Sequence, residues 1–342
     1  MRILRLTGIR RMEMQEAAAP TPRAPDDVLV RITRVGVCGS DIHYYTDGRI
    51  GSQVVAYPFA VGHECAGVVA ATGPAVRAVR PGDRVAIEPA VWCGACDQCR
   101  AGRPNTCRNL KFLGCPGQLE GCLCEYVVMP ERNCLPLPPG VDEEEGALSE
   151  PLAIAVYAVR QLGPVRDRRV AVLGSGPIGL CVALAAREEG AAAIYATDRI
   201  PERVEAVRRA GAEWASLPEE ADTDLPPRVP EGLDVVFECC GQQSAVDQAV
   251  RWLGPGGVLS IIGIPSEDRI SVAIDVARRK ELRIQNVRRQ AHCAELALDM
   301  IAERRVRPKF MVTHRFPFER TAEAFELVAG LRDGVLKAMI EI

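Results

Sequence analysis

The feature that most constrains the fold is a regular alternation of short apolar runs and amphipathic stretches that begins at Arg168. RRVAVLG reads as a buried strand, and PIGLCVALAAREEG as a helix with apolar residues three and four apart. AIYATD is a second strand, and PERVEAVRRAG a helix closed by Gly211. DVVFECCG, QQSAVDQAVRWL and GGVLSIIG continue the rhythm as strand, helix and strand. Strands alternating with helices of this length imply parallel βαβ units and a doubly wound sheet. The stretch Glu219 to Pro230, rich in acids and proline, is expected to be a surface loop.

The first ~150 residues read differently, as mostly β. DDVLVRITRVGV alternates apolar and polar positions, and CAGVVAATG, DRVAIEPAV and CEYVVMP are short β-branched runs between glycine and proline punctuation. The tail from about Val287 has too little of its own to form a domain and is expected to return to the N-terminal β region. The expected organisation is therefore one domain of residues 1–151 and 287–342 and another of 152–286, with a cleft between them. A chain of 342 residues accommodates two such cores.

At the first strand-to-helix crossing stands Leu173-Gly174-Ser175-Gly176-Pro177-Ile178-Gly179. Glycine there lets the backbone turn tightly and approach a pyrophosphate, and the helix N-terminus offers free N–H groups to the anion. Asp198 ends the next strand about 20 residues on, where an acid would bond a ribose 2′-OH. A carboxylate facing a 2′-phosphate is unfavourable, so Asp198 favours NAD, although Arg199 beside it could assist NADP.

Of the fourteen cysteines, four have metal-ligand spacing: Cys93-x2-Cys96-x2-Cys99-x7-Cys107. With Gly94 letting the loop curl, these thiolates can close a tetrahedral cage that leaves no position for substrate, so its role is structural. A single zinc suits so short a lobe, and an iron–sulfur cluster is the alternative. Cys65, Cys115, Cys122, Cys124, Cys134, Cys181, Cys239, Cys240 and Cys293 show no such spacing. Cys38, in VGVCGSDIH, and His63-Glu64, in AVGHECAGVV, are a sufficient open ligand set for zinc, with a fourth position for water or a substrate oxygen. Each also has an ordinary reading, as a buried thiol, a satisfied imidazole and a surface acid.

Taken together, Cys38-Gly39-Ser40-Asp41-Ile42-His43-Tyr44, Gly62-His63-Glu64-x2-Gly67-x5-Gly73, Pro81-Gly82-Asp83-Arg84-Val85 and the glycine-rich turn resemble the zinc-containing medium-chain alcohol dehydrogenases. Glu150-Pro151-Leu152 and Val312-Thr313-His314-Arg315-Phe316-Pro317 narrow the resemblance to the sorbitol (polyol) dehydrogenase branch. The resemblance runs through nearly the whole chain. It implies an α/β protein with a GroES-like β domain carrying two zincs and an inserted, doubly wound Rossmann domain.

The resemblance makes Cys38, His63 and Glu64 the ligands of a catalytic zinc and sets Glu150 beside it, through a water or directly. Ser40 and His43 match a proton relay that runs by way of the cofactor ribose, and Tyr44 faces the polyol chain. Arg203 matches an adenosine-side contact, and Gly263 and Ile264 the nicotinamide end. One segment departs: where polyol enzymes often carry Phe-Arg-Tyr, this chain has Arg288-Arg289-Gln290. Arg289 keeps the position against substrate and nicotinamide, and the added cation could favour a sugar acid. Threonine- or butanediol-type relatives and a non-catalytic zinc- and dinucleotide-binding protein are the other readings.

The net charge of −3 gives no reason to expect nucleic acid or an anionic membrane as partner. No window approaches ~20 uncharged apolar residues, and MRILRLTGIRRMEM lacks the apolar core of a signal peptide. The expected protein is a cytoplasmic homo-oligomer, dimer or tetramer, acting on a small polyol or secondary alcohol.

Overall fold

The computed structural model describes residues 1–265, 267 and 269–342. The chain divides into two compact units, Met1–Glu150 with Ala294–Ile342, and Pro151–Cys293. The α/β class and the parallel sheet expected of the second half are both present.

In the first unit the strand Asp27–Gly36 is the hub, pairing antiparallel with Glu64–Thr72, Tyr126–Pro130 and Lys337–Glu341. Arg84–Ile87 and Cys134–Pro136 extend the sheet on one side, and Val312–Pro317 lies parallel to Lys337–Glu341 on the other. Val28, Val30 and Ile32 are buried at the period of two that the sequence shows. The register then shifts between Ile32 and Arg34, and Val35 and Gly36 are both buried. Such fully buried aliphatic residues stabilise the unit by about 1.5–3 kcal/mol each. The sheet brings three distant segments to one end. Gly36 faces Glu64 in register, Val37 donates its N–H to Ala338 O at 3.0 Å, and Lys337 opens the last strand. The C-terminal segment thus completes the N-terminal sheet.

The second unit is a parallel sheet that, among the described residues, has six strands. They lie in the order Trp214–Ser216, Ala193–Thr197, Arg169–Leu173, Leu233–Glu238, Leu253–Ile261 and Arg283–Asn286. The order reverses between Arg169–Leu173 and Leu233–Glu238, and the carboxyl ends of strands at such a switch point form a ligand crevice. Gly174 and Glu238 stand there. The intervening helices include Pro177–Glu188, Pro201–Arg209 and Gln243–Trp252.

One expectation fails. Glu219–Pro230 is not simply a loop: Pro218–Asp224 is helical and Pro226–Arg228 forms a 3-10 turn. Ala221 and Leu225, four residues apart, are fully buried in the core with Leu233 and Trp252, and that contact outweighs the local composition. Asp222 also accepts from Trp252 Nε1 at 3.1 Å. Among the described residues, no helix is long and apolar enough to cross a membrane.

Candidate active site and metal centres

Cys38 follows the hub strand and caps the helix Gly39–Thr46. Asp41, three residues into that helix, accepts the Cys38 N–H at 3.3 Å through one oxygen. Its other oxygen accepts the Gly62 N–H at 3.1 Å and lies 3.4 Å from His63 Nδ1. One buried acid therefore fixes both loops, and it leaves Nε2 of His63 for a metal. The ligand atoms of Cys38, His63 and Glu64 all lie within 4.8 Å of one another, and the thiolate–imidazole–carboxylate set fits a zinc ion. Burial alone would lower the His63 pKa, but the Asp41 and Cys38 charges outweigh it and hold it well above its ordinary value.

The surroundings of this trio are charged and polar. Glu64 and Lys337 are each only 1% exposed, and Lys337 Nζ lies 2.8 and 2.7 Å from the two Glu64 carboxylate oxygens. Each oxygen has a further lone pair, so the pairing leaves Glu64 able to ligate. Glu150 sits in the helix Glu143–Gln161, followed by Pro151, which lacks the N–H that would bond the Ala147 carbonyl. Burial pushes the Glu150 carboxyl up to about 8, with His63 and Lys337 opposing and Glu64 and Glu88 adding to the rise. The Ser40 hydroxyl donates to Cys38 Sγ at 3.3 Å, and the Phe112 ring packs 5.3 Å from the His63 ring. His43, one-third exposed, pairs with Asp47 at 3.1 Å. The buried Tyr44 donates to Gln53 Oε1 at 3.2 Å, and Gln53 donates to Cys115 Sγ at 3.0 Å.

The four spaced cysteines form a second cluster, in the segment that joins the paired strands Ala90–Val91 and Lys111–Phe112. Their sulfurs stand 3.6 Å (Cys96–Cys99), 3.9 Å (Cys96–Cys107) and 3.5 Å (Cys93–Cys107) apart. Sulfurs around one zinc at ~2.3 Å are separated by about 3.8 Å, so the cage fits a single ion. Gly94 takes φ +71, the left-handed turn on which the loop depends. The backbone N–H groups of Ala95 and Cys96 lower the Cys93 pKa to about 6, which favours the thiolate.

In the second unit Gly174 takes φ +91, and a Cβ on Gly179 would sit 1.9 Å from Gly174 O, so this helix packs only as glycine. Gly176 caps the helix Pro177–Glu188, whose first turn carries Pro177 and Ile178. Asp198 is buried and accepts N–H groups from Ser175 at 2.7 Å and Ile200 at 2.9 Å, with Arg203 3.9 Å away and close to Gly176. Gly263 packs against the Gly241 N–H and Glu238, and Ile264 is exposed. Within the departing segment Arg288 is exposed, Arg289 has φ +52, and Gln290 is buried and accepts the Cys293 N–H at 2.8 Å.

Sequence reasoning passed over Asp41, Lys337 and Glu238. Asp41 stands three residues after Cys38, a capping-box spacing that was there to be read. Glu238 is fully buried and accepts from the N–H groups of Cys240 and Gly241 at 2.7 and 2.6 Å. No local signal marks Lys337 or Glu238.

Known proteins resemble this chain in sequence and in fold. The family model for the alcohol dehydrogenase GroES-like domain matches residues 24–139, and that for zinc-binding dehydrogenases matches 177–303. The chain is 36% identical over 322 residues to sorbitol dehydrogenase of Bacillus subtilis (strain 168), covering 92% of this chain and 90% of that protein. It is 35% identical over 333 residues to L-idonate 5-dehydrogenase of Vitis vinifera, covering 95% and 90%. A zinc-binding dehydrogenase from Sinorhizobium meliloti 1021, solved bound to NADP, superposes with a TM-score of 0.91 at 29% identity, covering 100% of this chain and 99% of that one. The chain is a dehydrogenase and belongs to the zinc-containing medium-chain alcohol dehydrogenase family, in its sorbitol (polyol) dehydrogenase branch.

Proposed function

We propose that the enzyme oxidises a secondary alcohol of a polyol or sugar-derived substrate to a ketone and passes the hydride to NAD. The convergence of Cys38, His63 and Glu64 beside Ser40 carries this reading. These three residues would hold one zinc, with Glu150 beside it, and Cys93, Cys96, Cys99 and Cys107 a second, structural one. Zinc when bound supplies a Lewis acid that makes a hydroxyl acidic near neutral pH. Ser40 takes the hydroxyl proton, and His43, one-third exposed beside Asp47, delivers it to solvent. Tyr44 and Gln53 offer polar groups to the substrate chain, and the Phe112 ring covers one side of His63.

The buried Asp198 carboxylate favours NAD, because a 2′-phosphate brought against it would be repelled. Gly174, Gly176, Pro177, Ile178 and Gly179 would cradle the pyrophosphate, Arg203 would lie on the adenosine side, and Gly263, Ile264 and Arg289 at the nicotinamide end. A sugar acid is the second reading of the substrate, favoured by Arg289 in its left-handed backbone next to Arg288. The same reading takes the enzyme to be a cytoplasmic homo-oligomer. The test is reduction of NAD and of NADP over a panel of polyols, aldonic acids and simple secondary alcohols, with and without a chelator. Chelator-sensitive NAD reduction with a polyol is the expected result; turnover that survives removal of both metals, or a higher kcat/KM with NADP, would overturn it.

A further inference from the structure

Lys337 is 1% exposed and its ammonium meets three acceptors: both oxygens of Glu64, at 2.8 and 2.7 Å, and the Val37 carbonyl at 3.1 Å. An ammonium has three N–H donors, so this environment satisfies a charged lysine completely. Glu64 is equally enclosed. A Cβ on its strand partner Gly36 would come within 2.3 Å of Glu64 Oε2, so the carboxylate occupies space that only glycine leaves. A buried charge without a partner is strongly unfavourable, and here the partner is supplied by the other end of the chain. Yet the same carboxylate points into the set formed with Cys38 and His63, where a divalent ion would also claim it.

We propose that Lys337 is a positioning residue of the Cys38–His63–Glu64 site, a resident cation that holds the Glu64 carboxylate while no metal is bound and shares it once one is. The inference rests on the proposed zinc site. Its physical content is a competition. Without Lys337 the metal-free protein keeps a buried carboxylate uncompensated, whereas the loaded protein has a divalent cation to compensate it. The penalty therefore falls mainly on the metal-free state, and zinc binds the variant more tightly than the parent. A buried lysine that served packing alone would weaken both states alike.

The experiment is zinc competition against a chromophoric chelator at pH 8, with melts of metal-free and loaded protein. Lys337→Met is expected to bind zinc at this site about tenfold more tightly or better, a modest fraction of what breaking a buried pair costs. Its melting temperature should fall much further without metal than with it. Lys337→Arg, which keeps the charge, should stay close to the parent. The double variant Glu64→Gln, Lys337→Met removes the carboxylate together with its cation and should be more stable without metal than Lys337→Met alone. Equal loss of stability in both states, unchanged or weaker zinc affinity, or a double variant no more stable than the single one would each overturn the role of Lys337. So would a Lys337→Met protein that fails to fold even with zinc. A parent that loses no zinc equivalent on Cys38→Ser would overturn the metal site itself, an outcome separate from the others.

Discussion

The carboxylate of Asp41 lies 3.4 Å from His63 Nδ1, and the same carboxylate receives the backbone N–H groups of Gly62 and Cys38. The imidazole is thereby fixed in one orientation and would be a more basic ligand for the proposed zinc. Asp41→Asn should weaken zinc at this site by about 10–100-fold, measured by chelator competition, with little change at the four-cysteine site. An unchanged affinity would mean that Asp41 only braces the backbone at Cys38 and Gly62.

The two cysteine-containing centres should respond differently to loss of one thiol. Cys38→Ser is expected to abolish turnover and leave the melting temperature near that of the parent. Cys99→Ser removes one corner of the closed cage and should lower the melting temperature by roughly 5–10 °C. Equal losses of melting temperature would contradict the division of roles.

The Glu150 carboxyl is raised to about 8 by burial, so the folded protein holds a proton there that the unfolded chain, with its value of 4.5, releases. The stability this contributes is present below pH 4.5 and is lost as pH rises through about 8. The metal-free enzyme should accordingly melt at lower temperature at pH 8.5 than at pH 5, and Glu150→Gln should flatten that dependence. A parent and variant with parallel pH profiles of melting would show that Glu150 is ionised throughout.

Asp198 braces the turn through Ser175 and Ile200, and in the proposed NAD site its charge would face the ribose. Asp198→Asn keeps an acceptor and removes the charge, and should raise the NADP:NAD ratio of kcat/KM by about tenfold or more. Steady-state kinetics with both cofactors check this directly; an unmoved ratio would assign Asp198 to the turn alone.

What could be read in the sequence was the local chemistry. The cage cysteines lie within fifteen residues of one another, and the turn Gly174–Gly179 carries its packing requirement in its own spacing. Cys38, His63 and Glu64 were recognisable as residue types, but their ligand atoms meet only because Gly36 and Glu64 are partners across the sheet. Lys337 is 273 positions from Glu64, and an ordinary lysine in an apolar C-terminal strand gives no sign of an ion pair. The helix Pro218–Asp224 was missed for a related reason: its stability comes from where Ala221 and Leu225 are buried, not from its proline- and acid-rich composition.

The return of the C-terminal strand to the N-terminal sheet sets an order on biosynthesis. Glu64 leaves the ribosome 273 residues before Lys337. At 5–20 residues per second that interval is about 14–55 s. Through it the nascent first unit has its thiolate, imidazole and carboxylate but neither the last strands of its sheet nor the lysine that neutralises the acid. A metal ion captured during translation would meet an unfinished site, so the centre can take its final form only after Lys337 and the strand that carries it have been made.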